Sequence, residues 1–296
     1  MEKQYWLNDR LVSESDARVS VLDHGFTVAD GVFETLKIVD SQPFATTLHL
    51  DRLERSCVGL GLSMPPREVL VRAMNEVLSS NDRVLYGRMR ITVTSGAGPL
   101  GSDRSGGTQS LVIAVTDQKP WSASTSLALV PWVRNERSAV AGLKTTSYAE
   151  NVIALETAHK ADCSEALFLD SRGNVSEGTG SNIFWISQGR VYSPSATTGL
   201  LEGITRNLIV ELCAQLGLAF AQGEYVLSDL LAADEVFVSS STRDVHPVSM
   251  LALVDKVGAI ERRHEFAHGE ITQRLQTAFI ESSRRFPDPS RGDFAQ

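Results

Sequence analysis

The sequence has no excess of basic residues, no paired cysteines and no apolar run long enough to cross a bilayer. Its 28 lysines and arginines are outnumbered by 36 aspartates and glutamates, so the formal net charge is -8. A chain of this charge offers no electrostatic footprint for DNA, RNA or an anionic membrane surface. We therefore expect neither a nucleic-acid partner nor a membrane partner.

Cysteine is scarce, and its positions are uninformative about metals or disulfides. The three cysteines are scattered along the chain: Cys57, Cys163 and Cys213. They form neither a C-x-x-C pair nor a metal-ligand spacing, and an odd, scattered count is typical of a reducing compartment. The first residues also lack the basic-then-apolar pattern of a secretory leader. These observations predict a cytoplasmic protein.

The length and apolar content point to two domains with mixed secondary structure. The chain has 296 residues, of which 42% are hydrophobic, enough for a substantial core. Polar residues and a proline between Asp117 and Trp121 mark the division. We predict an α+β domain over 1–118, a linker region over 119–135, a larger α+β domain over 136–284 and a flexible tail over 285–296.

The N-terminal part alternates between strand and helix patterns. Apolar residues recur at helical spacing through Leu50, Leu53 and Cys57, while strand patterns flank turn residues. The predicted elements are a hairpin over Tyr5–Val12, a hairpin formed by Gly31–Val39 and Gln42–Thr46, helices over His49–Gly61 and Pro66–Ser80, and strands over Val84–Thr94 and Ser110–Val115. The glycine- and serine-rich residues 95–109 predict a loop.

The C-terminal part contains a polar, glycine-rich run between two apolar strands. The predicted elements are helices over Thr146–Lys160, Gly203–Gly217 and Gly269–Arg284, and strands over Ala166–Leu169, Ile183–Ile186 and Glu235–Ser239, with the glycine-rich run at Ser176–Asn182. The strand ending at Ser239 runs into the polar turn SSSTRD. Ligand contacts commonly lie at such strand ends.

Two residues in these segments could carry chemistry together. Lys144 in AGLKTTSYAEN and Glu177 in the glycine-rich run are each, taken singly, more often solvated surface residues. A helix that starts at Gly203-Ile204-Thr205 adds free N–H groups and a dipole that favour a phosphate. Pyridoxal phosphate requires a Schiff-base lysine, a carboxylate for its pyridinium nitrogen and an anion site for its phosphate. The histidines fit no metal-ligand spacing, so no metal is expected.

Four segments carry a resemblance to a known family: GLKTTSYAEN, VSEGTGSNIF, LLEGITR and VSSSTRDVHPV. Together with GVFETLKI and HLDRL, they resemble the fold-type IV pyridoxal-phosphate enzymes, the class IV aminotransferases and aminodeoxychorismate lyases. The resemblance implies a two-domain α+β subunit, a homodimer and bound pyridoxal 5′-phosphate. It further implies that Lys144 is the Schiff-base lysine, that Glu177 binds the pyridinium nitrogen, and that Leu201 packs on the ring. The implied phosphate ligands are Arg52, Ile204, Thr205 and Ser241.

The substrate side is less defined by the sequence. Arg88 and Arg90 alternate in YGRMRITVT, so both point to one face of a strand, where they could grip a carboxylate or simply face solvent. Arg243 is the candidate that we favour for the carboxylate, because it follows the predicted phosphate ligand Ser241 by two residues. Phe33 and Thr242 complete the expected substrate contacts. Many relatives carry an aromatic hydroxyl near Phe33, and this chain has none there.

The expected reaction is a transamination between an amino acid or amine and a 2-oxo acid. An aminodeoxychorismate lyase, which releases pyruvate and 4-aminobenzoate, uses the same cofactor residues. Many lyases carry an asparagine-arginine pair shortly after the lysine, where this chain has Ser147 and Tyr148. A non-catalytic cofactor-binding dimer is the third alternative, and it is disfavoured because every cofactor-binding residue is present.

Overall fold

The chain divides into two compact units. A computed structural model describes residues 2–104 and 106–296. The N-terminal unit runs to Pro120 and also includes Leu143–Ser147, while the C-terminal unit comprises Trp121–Gly142 and Tyr148–Gln296. Our prediction assigned residues 143–147 to the C-terminal domain. They group with the N-terminal unit because they pair with the edge of one of its strands.

The N-terminal unit contains one antiparallel sheet and two long helices. Its elements are β1 (Gln4–Leu7), β2 (Arg10–Ser13), α1 (His24–Thr27), β3 (Gly31–Val39), β4 (Gln42–Pro43), α2 (Thr46–Leu60), α3 (Arg67–Ser79), β5 (Tyr86–Thr94) and β6 (Ser110–Asp117). The strand order is β2-β1-β6-β5-β3-β4. Both predicted hairpins and both predicted helices are therefore confirmed, although β4 is shorter than expected.

Period-two and period-3.6 patterns explain how this unit builds its core. Val32, Leu36 and Ile38 alternate along β3 and are fully buried, as are Leu53 and Cys57 on α2. α2 ends at Gly61, whose φ of 71° lets its N–H bond the last carbonyls of the helix. The predicted loop 95–109 has no helix or strand among its described residues, and Ser105 lies outside them.

The C-terminal unit is larger and is built around a ring of strands. Its elements are β7 (Thr125–Arg134), α4 (Ala149–Lys160), β8 (Glu165–Asp170), β9 (Val175–Gly178), β10 (Asn182–Ser187), β11 (Arg190–Pro194), α5 (Ile204–Gln215), β12 (Phe220–Gly223), α6 (Leu227–Leu231), β13 (Glu235–Ser240), β14 (Asp244–Val254), β15 (Ile260–Glu265) and α7 (Glu270–Arg285). The order is β12-β11-β10-β13-β14-β7-β8-β9. Because β9 also pairs with β10 through Glu177 and Asn182, strands β10, β13, β14, β7, β8 and β9 close into a ring.

Two expectations for this part of the chain were wrong. The region 119–135 is not a linker, because most of it forms β7, which pairs in parallel with both β14 and β8. The residues 285–296 are not a free tail, because Phe294 is fully buried against Phe279 of α7. In each case a pairing distant in sequence overrides weak local propensity.

Candidate active site

Lys144 is held on the edge of β3 by its backbone. The Phe33 N–H donates to the Lys144 carbonyl at 2.9 Å, and the Thr146 N–H donates to the Gly31 carbonyl at 2.8 Å. The Lys144 N–H in turn donates to the Ser56 hydroxyl of α2 at 3.2 Å. The lysine therefore starts from a backbone that both a strand and a helix restrain, as a catalytic amine requires.

Two cationic side chains contact the ring of Phe33. The Lys144 Nζ lies 4.5 Å from the ring centroid, and the Arg90 guanidinium carbon lies 3.7 Å from it. Phe33 itself is 4% exposed, so its ring is covered by its neighbours. Arg88 and Arg90 are both exposed on one face of β5, as their spacing predicts, and Arg90 also donates to Thr92 at 3.2 Å. Their role toward a substrate stays a prediction.

Arg52 is part of a buried cluster that our sequence analysis did not identify. Its Nε donates to one oxygen of Glu34 at 2.7 Å and an Nη donates to the other at 2.8 Å, while the His49 Nδ1 lies 2.7 Å from the same carboxylate. All three side chains are almost completely buried. A guanidinium bound along one edge can still donate from its other edge, so the predicted phosphate contact is compatible with this pairing.

The protonation of this cluster follows from burial and charge. Burial alone would raise the pKa of Glu34, but the charge and hydrogen bonds of Arg52 and the neighbouring His49 outweigh it and hold that pKa well below its usual range. Burial lowers the pKa of His49, and the Glu34 carboxylate only partly opposes this. Glu34 was detectable in the sequence, since a lone acid alternates there with the core residues Val32 and Leu36.

Glu177 is fixed by a cation and by a backbone donor. One carboxylate oxygen lies 3.2 Å from the Arg134 Nε, and the other accepts the Leu201 N–H at 3.0 Å. The Glu177 side chain is 12% exposed, so these contacts lie largely away from water. Arg134 also stacks on the ring of Phe168 at 4.5 Å. No local motif marked Arg134, because it lies in β7, within the segment we expected to be a linker.

The segment before α5 is held by Asn182. The Asn182 amide donates to the Leu201 carbonyl at 2.8 Å, and a Cβ atom at Gly203 would clash with the amide oxygen of the same asparagine. Gly203 is the N-cap of α5, and no side chain caps this helix. The first N–H groups of α5, at the buried residues Ile204 and Thr205, are therefore suited to an anion. The sequence correctly predicted where this helix begins.

The turn between β13 and β14 carries Ser241, Thr242 and Arg243. The Arg243 N–H donates to the Ser240 carbonyl at 3.2 Å, which closes the turn. The Arg243 side chain is only 6% exposed. Its guanidinium stacks on Trp121 at 3.8 Å and lies 3.5 Å from Glu165. Its role as a substrate anchor stays a prediction, but these groups of the C-terminal unit already surround it.

The predicted residues thus divide between the two units. Phe33, Arg52, Arg88, Arg90 and Lys144 belong to the N-terminal unit, and Glu177, Leu201, Ile204, Thr205, Ser241, Thr242 and Arg243 belong to the C-terminal unit. The amine, the anchored carboxylate and the uncapped helix start are the groups that pyridoxal phosphate requires. Across the described residues, no group of three or more histidines, cysteines or acids could hold a metal ion. In the same residues, no helix is both long and apolar enough to cross a bilayer.

Two named relatives cover nearly the whole chain. A putative branched-chain-amino-acid aminotransferase of Methanocaldococcus jannaschii is 32% identical over 280 residues, which span 93% of this chain and 94% of the relative. An aminodeoxychorismate lyase of Bacillus subtilis is 29% identical over 279 residues, which span 93% and 92% of the two chains. This chain is therefore similar to proteins of both activities.

The fold and a family profile agree with these relatives. The crystal structure of a branched-chain aminotransferase from Thermoproteus uzoniensis superposes with a TM-score of 0.87 at 25% identity, covering 99% of this chain and 97% of that one. The sequence profile of amino-transferase class IV matches residues 31–251, which contain all of the predicted site residues. The chain therefore belongs to the class IV aminotransferase family of enzymes and has their fold-type IV α+β architecture.

Proposed function

We propose that this protein is a pyridoxal-phosphate-dependent aminotransferase that moves an amino group between an amino acid and a 2-oxo acid. The observation that carries the proposal is the Lys144 Nζ and the Arg90 guanidinium on one Phe33 ring, at 4.5 and 3.7 Å from its centroid. An amino acid whose carboxylate pairs with Arg90 would bring its Cα atom close to the lysine amine. A simple amine would gain nothing from that cation.

Members of this family use pyridoxal 5′-phosphate, and the residues of this chain are suited to bind that cofactor. When bound, pyridoxal phosphate supplies an aldehyde that takes up the amino group and a ring that accepts the electrons of the Cα–H bond. The Lys144 Nζ is the group that binds the cofactor at rest and that moves the proton away from the substrate Cα atom.

Glu177 holds the proton on the ring nitrogen of the cofactor. The Leu201 N–H and Arg134 both contact its carboxylate, so Glu177 is held in one orientation beside a positive charge. A negative charge at this point favours a protonated ring nitrogen, which increases the electron demand of the ring. Arg134 acts through Glu177, so it is a positioning residue of the proposed site.

The phosphate is assigned to residues that offer strong donors. The uncapped N–H groups of Ile204 and Thr205 supply backbone donors, the Ser241 hydroxyl supplies a third, and Arg52 supplies a charge. Leu201 is assigned to the ring face. Its N–H donates to Glu177 and its carbonyl accepts a hydrogen bond from Asn182. The backbone that carries the Leu201 side chain is therefore fixed.

The substrate carboxylate is assigned to Arg90 with support from Arg88. The two residues are exposed on one face of β5, and Arg90 is the one that approaches the ring beside Lys144. Phe33 and Thr242 are assigned to the walls of the substrate site. After the donor leaves as a 2-oxo acid, a second 2-oxo acid binds to the same groups and leaves as the new amino acid.

The second candidate is an aminodeoxychorismate lyase, and the similarity to the Bacillus subtilis enzyme favours it. A lyase would need the same lysine, carboxylate and phosphate residues. It would differ in the residues that hold the chorismate-derived ring. Ser147 and Tyr148 replace the asparagine-arginine pair of many lyases, which supports the aminotransferase.

A homodimer in the cytoplasm is the setting that we assign to this activity. Five apolar side chains between positions 19 and 28 are more than 40% exposed in the single chain: Val19, Val21, Leu22, Phe26 and Val28. An exposed apolar patch of this kind is typical of an interface. Light scattering should give twice the chain mass for the wild type and a smaller mass for Phe26→Asp. The cytoplasmic location stays a prediction from the unpaired cysteines.

The proposal is tested by following the visible spectrum of the protein with added pyridoxal phosphate. The wild type should bind the cofactor through Lys144, and a D- or L-amino acid should then change the absorbance as the amino group is transferred. Lys144→Ala should abolish both effects. A protein that releases 4-aminobenzoate from aminodeoxychorismate but transfers no amino group would be a lyase.

The role of Arg90 is tested by comparing donors with and without a carboxylate. Arg90→Ala should raise the KM for amino acids by about ten- to hundredfold, the loss of one charge-assisted contact, and should spare simple amines. Arg88→Ala serves as the matched control on the same strand face, with a smaller expected effect. Equal losses with both kinds of donor would contradict the assignment of the carboxylate to Arg90.

A further inference from the structure

The C-terminal unit buries a second carboxylate that the transamination does not use. Glu165 opens β8 and is 3% exposed. One of its oxygens accepts the N–H of Thr179 at 3.0 Å, the N–H of Ala166 at 3.2 Å and the Thr179 hydroxyl. The other oxygen accepts the Ser181 hydroxyl at 3.2 Å. A carboxylate so deeply buried needs a compensating charge.

These bonds hold the tight turn that connects Glu177 to β10. The turn consists of Gly178-Thr179-Gly180-Ser181, and the Gly178 N–H donates to the Ser181 carbonyl at 2.7 Å. A Cβ atom at Gly178 would lie 2.5 Å from the Ser181 hydroxyl, so a side chain at this position would disturb the turn. Glu165 therefore binds the turn directly after the end of β9, which lies one residue beyond Glu177.

The compensating charge comes from Arg243, which lies in a different turn. An Nη of Arg243 is 3.5 Å from the second oxygen of Glu165, and the same group donates to the Ser164 carbonyl at 3.4 Å. The other Nη donates to the Thr125 hydroxyl at 3.3 Å and to the His246 Nδ1 at 3.2 Å. With Trp121 stacked on the guanidinium at 3.8 Å, the side chain is enclosed by its own unit.

His246 is in the correct state to accept that hydrogen bond. Its Nε2 lies 2.9 Å from the Ser122 carbonyl, which assigns the proton of a neutral imidazole to Nε2 and leaves Nδ1 as the acceptor. Burial and the adjacent Arg243 charge lower the pKa of His246 to about 4, so the ring is neutral at physiological pH. Both Nη groups of Arg243 thus have protein partners.

We infer that Arg243 is a positioning residue, and that its ion pair with Glu165 ties together the two turns assigned to opposite ends of the cofactor. The turn after Glu177 serves the ring nitrogen, and the turn with Ser241 serves the phosphate. The inference rests on the proposed function for these assignments. Both Nη groups of Arg243 are engaged within the C-terminal unit, by hydrogen bonds to Ser164, Thr125 and His246 and by the ion pair with Glu165. The inference therefore replaces the carboxylate-anchor role that the sequence suggested for Arg243.

The experiment separates this role from a carboxylate anchor. Arg243→Ala should weaken binding of pyridoxal phosphate by about ten- to hundredfold, the loss of one charge-assisted contact, measured by equilibrium dialysis. At saturating cofactor, kcat/KM should fall by the same factor for amino acids and for simple amines. A KM increase confined to carboxylate-bearing donors, with unchanged cofactor affinity, would overturn the inference.

A second measurement does not need the cofactor. In cofactor-free Arg243→Ala, the amide hydrogens of residues 178–182 and 240–244 should both exchange faster than in the wild type, because the link between the turns is lost. If only the turn with Arg243 itself changes, or neither turn changes, the inference is wrong. If the wild type binds no pyridoxal phosphate, the proposed function fails, whereas the exchange data still decide whether the two turns are tied.

Matched variants keep the test interpretable. Arg262→Ala removes an exposed arginine of β15 in the same unit and should change neither readout. Arg243→Lys should restore part of the cofactor affinity through its charge, but not the stacking or the paired donors. Should Arg243→Ala not fold, Arg243→Met combined with Glu165→Gln removes both charges from the buried site. That double variant should fold, and it should still show weak cofactor binding and fast exchange of both turns.

Discussion

The two units each bury an arginine against a glutamate, and the two pairs differ in geometry. Arg52 and Glu34 meet edge to edge in the N-terminal unit, with two bonds of 2.7 and 2.8 Å. Arg243 and Glu165 in the C-terminal unit meet at 3.5 Å through one nitrogen, and each has several further partners. A bidentate pair fixes two side chains to each other, whereas a looser pair with many partners connects separate segments.

This difference predicts that the Arg52–Glu34 pair mainly stabilises the fold, whereas the Arg243–Glu165 pair mainly positions a turn. Glu34 is fully buried and its neighbours are Arg52 and His49, so its main effect should be on the N-terminal fold. Glu165 bonds backbone and hydroxyl groups of a turn, so its main effect should be on the placement of that turn. Each of the following predictions tests one side of the contrast.

Glu34→Ala should have the largest effect on stability. It leaves the Arg52 charge buried without its carboxylate, and breaking a buried pair in this way costs about 3–5 kcal/mol. Urea denaturation of wild type, Glu34→Ala and Glu165→Ala would measure the contrast. A smaller loss for Glu34→Ala than for Glu165→Ala would contradict the distinction that we draw between the two pairs.

Glu177→Gln should preserve folding but slow catalysis by roughly a hundredfold, because a neutral amide cannot hold the proton on the ring nitrogen. Arg134→Ala should produce a smaller loss through the same carboxylate. Steady-state rates and urea midpoints measured on the same samples would separate activity from stability. Glu177→Gln with the wild-type rate would mean that another carboxylate serves the ring nitrogen.

Arg52→Lys should weaken cofactor binding with less damage to the fold than Glu34→Ala. Lysine keeps the charge beside Glu34 but cannot bond the carboxylate and the phosphate from two edges. The expected loss is about 1.5–3 kcal/mol of cofactor affinity. Dialysis against buffer without cofactor provides the measurement, and undiminished retention would remove Arg52 from the phosphate ligands.

The most gradual effect should come from pH, through His246 in the Arg243 cluster. Its folded pKa of about 4 lies below the ordinary value near 6.5. Protons therefore bind the unfolded chain first, and stability falls as the pH drops from about 6.5 toward 4, by roughly 1 kcal/mol per pH unit. His246→Gln should flatten this part of the urea midpoint curve, and an unchanged slope would contradict the assignment.

Much of the fold was predictable because its elements carry clear local patterns. The helices α2, α5 and α7 and the strand β5 show regular burial at period 3.6 or 2, and β3 is buried along almost its whole length. The structure confirms all five within a few residues. β7 was missed because its polar surroundings and its proline resemble a connection. Its strand character comes from parallel pairing with β14 and β8, which no local pattern reports.

As in the fold, the sequence predicted the site residues that lie in local motifs, but not those whose role depends on partners distant in sequence. The motifs singled out Lys144, Glu177 and the start of α5, because pyridoxal phosphate needs a lysine, an acid and an anion site. They did not reveal Glu34, Arg134 or Glu165, whose significance lies in partners elsewhere in the chain. Arg243 was recognised as unusual, but its contacts with Trp121 and Glu165 could not be anticipated.

The sequence by itself determined the family, the cofactor chemistry and the positions of most elements, because residue type and local periodicity are written along the chain. Only the tertiary structure decided that residues 143–147 join the N-terminal sheet, that β9 closes the strand ring at Glu177, and which charges pair. Sheet register and long-range packing set those pairings. They join residues such as Thr146 and Ala29, which are 117 positions apart, and no local signal encodes such a distance.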